Sequence, residues 1–161
     1  MSSPRILLNG LVVGESPRWH EGRLWFSNWG AQEIVAESFA GRLTAFDIAA
    51  DGSLSNRRVW ADLGGPGSGD GICLDAEGAI WCSVVHDGRP ACLRVREGGQ
   101  VLERIELERA CFACMLGGED RKTLFMLVAE WRGVEHMDAL FRSRTGQVLT
   151  ARAPAPHAGW P

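Results

Sequence analysis

The sequence predicts an all-β chain assembled from repeated strand units, and three observations carry that expectation. Many short apolar runs alternate with Gly-, Asp- and Asn-containing turns, one residue frame recurs along the chain, and no segment sustains helical periodicity for long. The runs 23–29 (RLWFSNW), 42–48 (RLTAFDI), 79–85 (AIWCSVV), 91–95 (ACLRV), 101–107 (VLERIEL), 123–128 (TLFMLV) and 147–151 (QVLTA) read as strands. They are rich in β-branched and aromatic side chains, which fit a pleated, half-buried surface. Turn signals separate them at Glu21-Gly22, Asp51-Gly52, Glu77-Gly78, Gly98-Gly99 and Gly117-Gly118. Residues 133–143 are left for a short helix or an excursion loop.

The recurring frame is an apolar strand, a polar Gly-containing turn, then an aliphatic–aromatic pair. It appears as Pro17-Arg18-Trp19-His20-Glu21-Gly22-Arg23-Leu24-Trp25, as the stretch from Ile72 to Ile80-Trp81, and as the stretch from Phe112 to Leu124-Phe125. An acid precedes each of the first two, Glu15 and Asp70, and a second hairpin follows each: 43–47 with 54–59, and 93–96 with 101–105. A four-stranded unit repeating every roughly 40 to 55 residues is the pattern of a propeller blade. A sandwich would space its strands similarly but would not repeat the Leu/Ile–Trp/Phe pair. The expected units are 19–63, 72–107, and 112–128 with 147–151. Residues 5–8 are left to supply the outer strand of the last unit. The step from Trp25 to Trp81 is about a dozen residues longer than that from Trp81 to Phe125, and the excess falls at 30–40. That is the length of one extra strand and turn.

Composition narrows the function classes. In 161 residues, 45% are hydrophobic and 23% charged, as in ordinary globular domains. The formal net charge of -3 and the absence of a basic run beyond Arg57-Arg58 argue against a nucleic-acid partner. No apolar stretch approaches the roughly 20 residues that span a bilayer, so no membrane is expected. Residues 1–13 offer no convincing cleavage site, which reads as a mature cytoplasmic protein. Five cysteines, Cys73, Cys82, Cys92, Cys111 and Cys114, are an odd number without a secretion signal and read as buried strand thiols. Cys111 and Cys114 form a C-x-x-C with no second pair and no His at zinc-finger spacing.

Two stretches carry a resemblance to a known family. The first is Gly14-Glu15-Ser16-Pro17-Arg18-Trp19 followed by Arg23-Leu24-Trp25-Phe26-Ser27. The second is Ala45-Phe46-Asp47 and Ser55-Asn56-Arg57-Arg58, leading to Asp70-Gly71-Ile72-Cys73-Leu74-Asp75-Ala76-Glu77-Gly78-Ala79-Ile80-Trp81. The chain resembles the SMP-30/gluconolactonase/regucalcin (LRE-like region) family over nearly its whole length, the D-G-I-C-L-D-A-E-G string being the most specific part. The resemblance implies a β-propeller of the six-bladed SMP-30/gluconolactonase type, incomplete, with about three blades. Residues 1–161 would form one such domain, with an internal deletion joined near Val35-Ala36, where two family strings abut.

The resemblance also implies one divalent metal ion (Ca²⁺, Zn²⁺, Mg²⁺ or Mn²⁺) in a central channel, a small sugar lactone as substrate, and Glu15 and Asp70 as metal ligands. Asp70 is further implied as the general base. The family's middle ligand, an Asn in a P-N-G string, has no counterpart here, and neither do the substrate-contacting segments of its second and third blades. Oxygen donors suit a hard cation, which polarises a lactone carbonyl and acidifies a bound water. Asn28 stands where relatives often carry Asp. His20, His86, His136 and His157 show no ligand spacing, and no G-x-S-x-G elbow points to a serine hydrolase. The functional expectation is a gluconolactonase-like hydrolase impaired by truncation. The alternative is a non-catalytic propeller fragment that acts as an interaction module or self-associates into a homo-oligomer through open blade edges.

Overall fold

The computed structural model describes residues 13–20, 23–29, 35–37, 41–48, 54–63, 69–86 and 88–158. Side chains are described from residue 41 onward, apart from residues 48, 54 and 139–141. The expected strand at 5–8 therefore lies outside the described residues. Twelve strands run in chain order: β1 Val13–His20, β2 Arg23–Trp29, β3 Val35–Glu37, β4 Arg42–Ile48, β5 Leu54–Asp62, β6 Gly69–Leu74, β7 Ile80–His86, β8 Arg89–Val95, β9 Val101–Glu106, β10 Ala110–Gly117, β11 Thr123–Ala129 and β12 Gln147–Arg152. One helix, α1 Met137–Ser143, follows a 3-10 turn at Val134–His136 and fills the excursion between β11 and β12.

Among the described residues the strands form four antiparallel meanders: β1-β2, β3-β4-β5, β6-β7-β8-β9 and β10-β11-β12. The second and third units expected from the repeat frame are β6–β9 and β10–β12. The first unit, 19–63, differs: it divides between two sheets. The chain leaves the β1-β2 hairpin after Trp29, and β3 pairs with β4 instead of extending that hairpin. The extra strand anticipated at 30–40 is β3, which contains Val35 and Ala36.

The β6–β9 sheet explains why its sequence is apolar without strict alternation. Both of its faces are covered, and its period of two deals successive side chains to two separate cores. Cys82 and Val84 of β7, with Ala91, Leu93 and Val95 of β8, pack against Leu43, Ala61 and Leu63 at the β3–β5 sheet. Trp81 and Cys92 face the other way, onto Cys111, Cys114, Leu116, Leu124, Met126 and Val128 of β10 and β11. The β6–β9 sheet is thus stacked between the β3–β5 sheet and the β10–β12 sheet.

Backbone contacts fix the stacking. A Cβ built on Gly71 of β6 would lie 2.6 Å from Ala113 Cα in β10, so only glycine fits where these strands meet. Gly98 N–H donates to Trp60 O at 2.8 Å, tying the β8-β9 turn to β5. The C-terminal tail then stitches two sheets together. His157 N–H donates to Arg121 O at 3.0 Å in the β10-β11 turn, while Pro156 O accepts from Ala76 N–H at 2.8 Å in the β6-β7 turn. Ala153, Ala155 and His157 are buried along this path.

Candidate functional site

Strand bulges place the two acids singled out in the sequence. In each of β1, β6 and β10 the register slips near the start of the strand: between Glu15 and Arg18, between Gly69 and Ile72, and between Cys111 and Ala113. A bulge interrupts alternation and re-aims the side chains around it, and bulges concentrate beside active sites. Glu15 sits at the edge of the first, opposite Ser27, and Asp70 sits inside the second. Both acids thus lie at or within a bulge near the start of their strands. The Glu15 side chain, and with it the Glu15–Asp70 separation, lies outside the described residues.

Asp70 is half-buried beside thiols. Burial pushes the Cys82 thiol well above its ordinary range, and the charges of Cys114 and Asp70 push it further in the same direction. Cys111 is likewise raised, first by burial, with a smaller contribution from Asp70 and an opposing hydrogen bond from Ser83. A bulge carboxylate in this position can accept a proton from a water or hydroxyl group brought to it.

The metal reading can be tested against the donors. Among the described residues no three His, Cys, Asp or Glu side chains converge as a metal site. Asp70 offers one hard oxygen donor, so the described set does not complete a coordination shell. The histidines are dispersed. His20 ends β1, His136 lies in the 3-10 turn, His86 Nδ1 is 2.7 Å from Arg104 Nη1, and His157 is buried in the tail. Asn28 lies in β2 opposite Gly14.

Much of the D-G-I-C-L-D-A-E-G string after Asp70 is structural. Asp75 Oδ1 accepts from Glu77 N–H at 2.9 Å and from Ala79 N–H at 3.0 Å, closing the β6-β7 turn. Its Oδ2 accepts from Arg94 Nε at 2.7 Å, and Arg94 Nη2 also donates to Glu77 Oε2 at 2.6 Å. Both charged partners of the first pair are buried.

One constellation was not anticipated as a group. Cys73, Cys92, Cys111 and Cys114 share a single core cluster with Trp81. Cys114 Sγ is 3.4 Å from Gly71 O and 3.5 Å from Trp81 O, and Ser83 Oγ is 3.1 Å from Cys111 Sγ. Hydrogen bonds from Cys73 and Cys92 hold the Cys114 thiol well below the ordinary range, against the effect of burial. The same contacts push Cys73 and Cys92 up.

Comparison with known proteins agrees with this architecture. The family described as SMP-30/Gluconolactonase/LRE-like region matches residues 26–130, a stretch that includes Asp70 and excludes Glu15. Regucalcin of Danio rerio is 36% identical over 98 residues, covering 58% of this chain and 32% of that protein. Regucalcin of Xenopus laevis is 26% identical over 132 residues, covering 76% of this chain and 44% of that protein. This chain thus spans less than half the length of these relatives. Among solved structures, a luciferin-regenerating enzyme superposes with a TM-score of 0.65 at 17% identity, over 93% of this chain and 48% of that one. A calcium-binding protein, regucalcin, from Agrobacterium tumefaciens superposes with a TM-score of 0.61 at 19% identity, over 88% of this chain and 52% of that one. The fold is an incomplete β-propeller of this type.

Proposed function

This chain belongs to the SMP-30/Gluconolactonase/LRE-like region family, and on that premise we propose that it descends from a divalent-metal-dependent sugar lactonase and retains part of that site in Glu15 and Asp70. The observation that carries the reading is a strand bulge beside each acid near the start of its strand, Glu15 at the edge of one and Asp70 within the other. The Agrobacterium relative is a calcium-binding protein, which supports the class of ion. When bound, such an ion would supply Lewis-acid polarisation of a lactone carbonyl. Among the described residues no three His, Cys, Asp or Glu side chains complete its shell. In this reading Asp70 takes a proton from an attacking water.

An incomplete coordination shell and an incomplete wall reduce both affinity and turnover. The expected result is weak binding of Ca²⁺, Zn²⁺, Mg²⁺ or Mn²⁺ by titration calorimetry, lost in Asp70→Ala. Hydrolysis of sugar lactones should be far slower than by a full-length relative, or absent. Turnover in the ordinary enzyme range of roughly 1–10³ s⁻¹, abolished by Asp70→Ala, would show that the site is intact. Absence of any cation binding would remove the metal part of the reading.

A second reading, a self-associating module, rests on a different observation. Among the described residues no strand pairs with the outer edge of β12. Leu127 and Val148 face each other across β11 and β12, and both are exposed. Exposed apolar side chains facing each other on one side of a sheet favour association with a second copy. A mass measurement in solution separates the two readings.

A further inference from the structure

We propose that Cys73 and Cys114 form a redox-sensitive pair whose disulfide ties β6 to β10 and so locks two neighbouring blades beside Asp70. Strands β6 and β10 approach closely at the backbone. The Cβ position of Gly71 lies 2.6 Å from Ala113 Cα. Adding one carbon–carbon bond of about 1.5 Å puts the two strands at most about 4 Å apart there. Cys73 lies two residues beyond Gly71 and packs against the core cluster that contains Cys114, the residue after Ala113. Cys114 Sγ already reaches back to Gly71 O at 3.4 Å. A disulfide requires Cα atoms about 4.4–6.8 Å apart, and Cys73 and Cys114 lie two residues and one residue from this close approach.

The four clustered thiols are not equivalent. Cys92, Cys111 and Cys114 are buried, whereas Cys73 is partly exposed, so an oxidant in solution meets Cys73 first. Cys114 is the thiol that its neighbours make easiest to ionise, as a resolving nucleophile requires. With a low-molecular-weight disulfide as oxidant, the Cys73 thiolate attacks one of its sulfurs, forming a mixed disulfide and releasing one thiol. The Cys114 thiolate then attacks Cys73 Sγ and releases the second thiol. The balance is two protein thiols plus one disulfide giving one protein disulfide plus two small thiols. Both protons leave on the released thiols. Because Cys73 must first lose its proton and its thiol is held up, the first step should accelerate as pH rises.

The cross-link joins the strand that carries Asp70, three residues before Cys73, to the neighbouring blade. It therefore restrains the bulge from which Asp70 projects. This inference does not depend on lactone hydrolysis or on metal binding.

The test treats the folded, reduced chain with oxidised glutathione at pH 7.5 and 8.5, followed by thiol blocking and peptide mass mapping. The expected product is a single Cys73–Cys114 link, formed faster at pH 8.5 and reversed by dithiothreitol. Cys114→Ser should stop the reaction at glutathionylated Cys73, and Cys73→Ser should leave the folded chain unmodified. A link involving Cys92 or Cys111 instead would overturn the proposal. So would a wild-type product that stays at the mixed disulfide, or a folded chain that resists oxidation while the urea-unfolded chain reacts.

Discussion

Arg94 and Asp75 form an ion pair at 2.7 Å with both side chains withdrawn from solvent, at 5% and 1% exposure. The pair connects β8 to the turn that follows β6, and Asp75 also satisfies two backbone amides of that turn. Asp75→Ala leaves Arg94 facing Glu77 at 2.6 Å and Glu103 at 3.7 Å, but it removes the buried partner of Arg94 and the acceptor of two backbone amides. It should therefore destabilise the fold by about 1.5–3 kcal/mol, read as a shift in the urea unfolding midpoint. Arg94→Met combined with Asp75→Asn should lose less than Asp75→Ala alone, because no net charge is then stranded.

Gly71 gives a test of blade stacking. Its added Cβ would meet backbone, Ala113 Cα at 2.6 Å and Phe112 O at 3.1 Å, and a backbone cannot rotate aside as a side chain can. Gly71→Ala should cost about 1–3 kcal/mol as an overpacking substitution. It should also increase amide hydrogen exchange in β10. The same change at Gly88, where a Cβ meets nothing within 4 Å, serves as a spatial control with its own strain from φ +70. A Gly71→Ala variant as stable as the parent would mean that β6 and β10 are not in contact.

Cys82 sets an alkaline limit on stability. Its folded pKa lies well above the ordinary value of 9.0, chiefly through burial. Below about pH 9 the thiol is protonated in both states, and the group leaves stability unchanged with pH. Above that, the unfolded chain releases the proton and the folded chain keeps it, so stability falls as pH rises. The slope from one such thiol is about 1.4 kcal/mol per pH unit. Urea titrations between pH 8 and 10.5 should show this decline, and Cys82→Ala should make it shallower.

The outer face of the last sheet should govern association. Val148 and Leu127 are 66% and 46% exposed and directly opposed on β12 and β11. Val148→Lys places a charge beside the β12 edge without touching the buried face of that sheet, where Leu124, Met126 and Val128 lie. Sedimentation velocity should show less self-association for Val148→Lys than for the parent, at unchanged thermal stability. Equal association in the two proteins would place the contact elsewhere.

Reading the sequence identified the units but not all of their sheets. Strands β2 and β4 match their expected bounds, because alternating apolar residues and flanking turns mark them locally. The innermost strands β1 and β6 are less plain as runs. Their bulges carry Ser16-Pro17 and Asp70-Gly71, which interrupt the apolar pattern. The excess length at 30–40 announced β3, yet its partner depended on which neighbouring strand could offer a free edge, a non-local choice.

The same division holds for the candidate site. Glu15 and Asp70 stand out in the sequence because a repeat frame assigns each the same position, and that is a property of spacing alone. What Asp70 lies against was decided by tertiary structure. Cys73, Cys92, Cys111 and Cys114 are far apart or differently spaced in sequence and read individually as core residues. They gather because the register sets Cys73 opposite Trp81 and Cys92 opposite Ser83, and because the next sheet brings Cys111 and Cys114 onto that face. Spacing along one strand fixes which face a side chain takes, but only the stacking of a second sheet determines what it meets there.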